Sequence, residues 1–213
     1  YGIKSFISYR PKGVTLSSLK YTLIPAALFM PQAIGWWLKS GAERLIISSE
    51  LGNASLGIYS LAMQFVSIMF IYVTVVNLAI VPEINKLMEK NNYEKTNKYL
   101  LINVFLLICV ALLIPLVGSQ VISNFYSLEY LPVNNYILLL TLACIPQAIM
   151  MLYINVLYYN QAGRFVATLI LLSFSIQTLI NYFFINIYGI LGLIICSGIV
   201  NILALYLILI KVF

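Results

Sequence analysis

Six runs of apolar residues, roughly 19–47, 55–81, 99–117, 133–158, 165–187 and 190–212, occupy nearly the whole chain. Each is near or above the roughly 20 residues a helix needs to cross a bilayer. Charged residues make up 8% of the 213 and hydrophobic ones 62%, with a mean hydropathy of +1.00, whereas soluble domains carry roughly 25% charge. An aqueous fold cannot hide so much apolar surface. A bilayer accepts it, provided the helices satisfy their own backbone hydrogen bonds. The expected fold is therefore all-α and transmembrane, a six-helix bundle.

The first run outlasts a simple span and contains Pro25 and Pro31, each of which removes a backbone donor, so a kink is expected in it. The separators are short and hold turn formers: Leu51-Gly52-Asn53, Asn91-Asn92, Ala162-Gly163 and Tyr188-Gly189. Connections this short make successive helices antiparallel neighbours.

The formal charge of +6 and pI near 9.2 would suggest nucleic acid in a soluble protein. Here the cations cluster between apolar runs instead of forming a basic and aromatic surface, so no nucleic-acid partner is expected. They alternate in the manner of the positive-inside rule. One side collects Lys4, Arg10, Lys12 and Lys20, then Lys86, Lys90, Lys95 and Lys98, then Arg164 and Lys211; the other has only Lys39 and Arg44. Residues 1–18 thus read as a basic cytoplasmic segment, 19–213 as six spans, and both ends as cytoplasmic.

Cys109, Cys144 and Cys196 each stand alone in an apolar run, which argues for packing rather than disulfides or a metal site. Histidine and aspartate are absent, which removes imidazole acid-base chemistry and serine-histidine-aspartate arrangements, so an enzyme is not expected. No cofactor is implied. The chain starts at Tyr1 with no signal-peptide pattern, and is expected to be a fragment of a longer protein.

Polar residues inside the runs are the candidate functional groups. Ser173, Gln177 and Asn181 lie four apart on one helical face; Gln147, Met151 and Asn155 repeat that spacing after Pro146; Gln64 and Asn77 interrupt the second run and Gln32 the first. Such amides can be interhelical glue, worth roughly 0.6–2 kcal/mol each. Turned inward from several helices, they would surround a polar path. Trp36 and Trp37 follow two prolines near Gln32, and fit either lipid anchoring or sugar stacking. Stretch 39–50, with Lys39, Glu43, Arg44 and Glu50, has two readings: an exposed outer loop, or a continuation of the first helix that carries Glu43 and Arg44 into a polar interior.

The stretch from Glu43-Arg44 through Leu51-Gly52 to Gly57-Ile58-Tyr59-Ser60 resembles a signature of bacterial polysaccharide flippases, with Glu43 where aspartate is commoner. Gly163-Arg164 and the segment from Asn181 to Tyr188-Gly189-Ile190-Leu191-Gly192 are similar to that family's last two helices. The resemblance covers nearly the whole chain and implies the carboxy-terminal half of an O-antigen, capsule or teichoic-acid type flippase, one lobe of a two-lobe fold shared with multidrug extruders. It further implies membrane lipid, a lipid-linked oligosaccharide and a missing amino-terminal lobe as partners. The expected activity is export of a polyprenyl-pyrophosphate-linked repeat unit by alternating access. Arg44, Lys39 and Lys20 are then candidates for the pyrophosphate, and Glu43 for neutralising Arg44 or taking a coupling proton or sodium ion. The alternatives are a multidrug cation extruder of the same fold, a membrane enzyme of the same sugar pathways, and a non-catalytic membrane interaction module.

Overall fold

Residues 16–212 are described by the computed structural model. Lys4, Arg10 and Lys12 lie outside them, as do most of the 1–18 segment and the Lys20 side chain. Among the described residues the chain is helical except at short turns: α1 Leu16–Trp37, a π turn Leu38–Ala42, α2 Glu43–Glu89, α3 Tyr93–Phe125, a 3-10 turn Leu128–Tyr130, α4 Val133–Tyr159 and α5 Gly163–Val212. Four helical stretches are long and apolar enough to cross a membrane. The protein has the architecture of a helical membrane protein.

Two of the long helices are bent sharply at a glycine. Gly52 in α2 has φ 82° and ψ 171°, and Gly189 in α5 has φ 59° and ψ −146°. Both conformations lie where only a residue without Cβ is at ease. Hydrogen bonds across each bend give its extent. Gln177 Nε2 donates to Ser197 Oγ at 2.6 Å although 20 residues separate them, and a straight helix would hold them about 30 Å apart. The chain therefore doubles back at Gly189, and a bond from Tyr59 to Glu43 establishes the same for Gly52.

The other turns use backbone caps. At the end of α2, Asn91 N donates to the Met88 carbonyl and Asn92 N to that of Leu87, both at 2.9 Å; at the end of α4, Gln161 N and Ala162 N make the same pair of bonds to Tyr158 and Leu157. This is the Schellman arrangement, with Asn91 (φ 52°) and Gln161 (φ 57°) in the left-handed position usually given to glycine. Asn92 then caps α3, its Oδ1 accepting from Lys95 N at 3.1 Å.

The helices overrun the predicted apolar runs. α3 begins six residues before position 99 and continues past Gly118 to Phe125, because hydropathy marks the lipid-contacting portion and not the helix ends. The stretch between the third and fourth runs therefore keeps only residues 126–132 outside the two long helices. Pro25 and Pro31 sit within continuous α-helix, and the irregularity falls downstream, at the π turn. α4, apolar on every side, is the central helix and packs against α2, α3 and α5, while α1 packs on α5.

Candidate functional site

The loop reading of 39–50 is replaced by helix: α1, the π turn and the start of α2 run on without a break to Gly52. This carries Glu43 into the bundle, where it is 3% exposed. An isolated carboxylate there would be very costly, so it must be paired or fully hydrogen-bonded. Four groups provide the bonds. Oε2 accepts from the Tyr59 hydroxyl at 2.8 Å. Oε1 accepts from Gln177 Nε2 at 2.5 Å, Ser197 Oγ at 3.2 Å and Asn181 Nδ2 at 3.3 Å. The two hairpins at Gly52 and Gly189 are what bring these donors together.

Gln177 Oε1 and Asn181 Oδ1 are buried without a hydrogen-bond partner. Two unfilled acceptors beside a carboxylate cost free energy in the charged state. They become useful if Glu43 takes a proton, because turning either amide over puts an oxygen where its nitrogen now sits. The cluster can thus serve both forms of Glu43. Donors, not acceptors, face the carboxylate here, and no group of three histidine, cysteine or acidic residues is assembled among the described residues.

One turn earlier, on the π turn, Lys39 is 7% exposed. Its Nζ donates to Asn201 Oδ1 at 3.0 Å and lies 4.9 Å from the centroid of the Phe174 ring. Trp36 packs on the same ring at 5.1 Å. Fully buried Asn201 passes the connection on, its Nδ2 donating to the Ala143 carbonyl at 2.8 Å, in the turn that Pro146 interrupts. Trp36, Lys39, Ser40, Glu43, Met63, Phe70, Gln147 and Met151 line a cavity of about 290 Å³. Ligand pockets run from roughly 300 to 1,000 Å³, so it is too small for an oligosaccharide, and its wall is mostly apolar.

The residues singled out in the sequence therefore divide. Glu43, Gln177 and Asn181 meet in one cluster, and Trp36, Lys39 and Gln147 border the cavity beside it. Asn77 and Asn155 pair with one another, Asn155 Nδ2 donating to Asn77 Oδ1 at 2.9 Å and Asn77 Nδ2 to the Met151 carbonyl at 3.2 Å, which is the interhelical glue role. Gln32 Oε1 accepts from the Tyr158 hydroxyl at 2.5 Å. Gln64 and Arg44 are exposed. The expected neutralisation of Arg44 by Glu43 is not found: consecutive residues point about 100° apart around a helix, and no ion pair joins them among the described residues.

Tyr59, Ser197, Asn201 and Phe174 belong to the site and were not singled out as functional. Ser197 and Asn201 lie four apart in the last run, the same signal that drew attention to Gln177 and Asn181. Cys144 and Cys196 are buried in packing positions, as expected, while Cys109 is exposed.

Comparison with known proteins finds no matching family model, and no match among curated proteins or solved structures.

Proposed function

We propose that the protein is one lobe of a membrane transporter in which Glu43 is a proton-responsive switch, and that its cargo is a polyprenyl-pyrophosphate-linked oligosaccharide moved across a bacterial cytoplasmic membrane. The observation that carries the reading is the Glu43 cluster. A buried carboxylate within a membrane helix, joined to three other helical arms and bordering a cavity, is a functional group by default, because a purely structural contact would not bear that desolvation cost. Its unfilled amide acceptors give the protonated state a partner too, so a change of charge can redistribute bonds between the two hairpins.

The reversals at Gly52 and Gly189 divide α2 and α5, which supports six spans in place of four. With Met88, Tyr93, Val156, Asn160 and Val212 around one pocket, three of the chain's turning points or ends share one end of the bundle. Lys86, Lys90, Lys95, Lys98, Arg164 and Lys211 lie beside those points in the sequence, and the positive-inside rule assigns that end to the cytoplasm. The exposed apolar stripe of Leu19, Leu23, Met30, Ile34 and Trp37 on α1 would be covered by lipid or by a second lobe. The cargo assignment rests on the sequence signatures around Glu43-Arg44 and Tyr188-Gly189, with Lys39 as the buried cation of the cavity.

A second reading, the cation extruder, is favoured by one feature: Trp36, Met63, Phe70 and Met151 are aromatic and sulfur-bearing walls next to an acid, a lining suited to lipophilic cations. Lys39 opposes it. Vesicles containing the full-length protein, assayed for both cargo classes, separate the two. Movement of lipid-linked oligosaccharide without dye export supports the flippase reading, and the reverse result replaces it with the extruder.

A further inference from the structure

We infer that Lys39 and Glu43 form a linked pair in which protonation of Glu43 strengthens the binding of a phosphate-bearing anion at Lys39. The inference rests on the transporter reading for its purpose, but its test is one of binding alone. The two residues sit one turn apart on one continuous helical stretch, Lys39 within the wide π turn and Glu43 just after it. Both are nearly fully buried and both border the same cavity. Yet they make no ion pair among the described residues, and each is held by a separate neutral set.

The two sets leave different capacities. Glu43 already accepts four hydrogen bonds, three at Oε1 and one at Oε2, all from neutral donors. Lys39 has three N–H donors, of which Asn201 takes one. The Phe174 ring covers another face without accepting a full hydrogen bond. A donor therefore remains for a ligand in the cavity, and a phosphate oxygen matches it in charge and geometry.

The sign of the linkage follows from the charges. With Glu43 ionised, the cavity is close to neutral overall and an incoming anion meets the carboxylate as well as the ammonium. With Glu43 protonated, Lys39 is the uncompensated charge, and in a medium of low dielectric that difference is strongly felt over one helical turn. Linkage is reciprocal, so an anion at Lys39 also favours the proton on Glu43. Proton and anion are therefore held together. Other ionisable groups near the pair are Tyr59 from the second arm of α2, Cys144 from α4 and Arg44 beside Glu43. The arms of α5 contribute only neutral Gln177, Asn181, Ser197 and Asn201 to the two networks.

The test is a titration of the purified full-length protein with inorganic pyrophosphate and, separately, with farnesyl pyrophosphate. Glu43→Gln should bind about tenfold more tightly than wild type, within the usual range of coupling between sites. Acidification should bring wild type toward the variant's affinity, and Glu43→Gln itself supplies the baseline for titration of the ligand. Lys39→Met should abolish binding, and Lys39→Arg, which keeps the charge and serves if the Met variant does not fold, should retain the response to Glu43→Gln. Equal responses of both probes identify the phosphate group as the ligand; a response of the isoprenyl ester alone identifies a lipid source. Absence of binding by both probes, weaker binding in Glu43→Gln, or binding that survives Lys39→Met overturns the inference. Loss of transport with the linkage intact would instead overturn the proposed function.

Discussion

The Tyr59 hydroxyl donates to Glu43 Oε2 at 2.8 Å although sixteen residues of nominally continuous helix lie between them. A straight helix would separate the two by about 24 Å, so this one bond requires the chain to reverse between them, and Gly52 is the only residue in α2 with non-helical backbone angles. The candidate site and the turn are thus a single feature. Gly189 does the same for Gln177 and Ser197.

Substituting alanine at Gly52 or Gly189 should destabilise the protein by about 1–3 kcal/mol each, the cost of a non-glycine residue in such a conformation. A Cβ at either position meets no atom within 4 Å, so the cost is one of backbone strain. Serine and alanine should therefore cost nearly the same, as thermal unfolding in detergent would report. A steep dependence on side-chain size would contradict this.

Gln161→Gly should stabilise the end of α4 by roughly 0.5–1 kcal/mol, because glutamine holds a left-handed conformation that glycine adopts freely. Asn91→Gly should gain less, since asparagine already tolerates that region. Comparing the two melting temperatures with wild type checks the order.

Tyr59→Phe removes one of four donors to Glu43 and should cost about 1.5–3 kcal/mol, the range for a bond to a charged group. In a Glu43→Gln background most of that cost should vanish. A double-mutant cycle in detergent would measure the coupling, and additive effects would mean that the hydroxyl and the carboxylate do not act together.

Asn77→Ala and Asn155→Ala should each lose about 0.6–2 kcal/mol and couple to one another, while leaving translocation per folded molecule unchanged. Their amides bond to each other and to α4 backbone, and neither belongs to the cavity lining. A translocation assay normalised to folded protein separates this from a transport role.

The helical membrane architecture was legible from the apolar runs, because run length and backbone satisfaction leave a bilayer-spanning chain few options. The turns at Gly52, Asn91 and Gly189 were legible for the same reason that glycine and asparagine suit positive φ. The site was legible only in part. Spacing put Gln177 and Asn181 on one face, but periodicity records which residues share a face and not what that face meets. Glu43 lies buried while Arg44, grouped with it in the sequence, is exposed, since the phase of a helix through a π turn is not fixed by hydropathy. Gln64 is exposed, and an isolated polar residue carries no phase of its own from which its facing could be read. Tyr59 was passed over because an aromatic near a span end reads equally well as an anchor, and Ser197 and Asn201 because a polar pair four apart in mid-span reads equally well as glue.

The most direct test of Glu43 as a switch is translocation of lipid-linked oligosaccharide by the full-length protein in vesicles, measured across a range of pH for wild type and Glu43→Gln. A wild-type rate that varies with pH, together with a folded Glu43→Gln protein whose translocation falls to the level of protein-free vesicles, is the predicted result. A Glu43→Gln protein that transports as fast as wild type with the same pH profile would contradict the account.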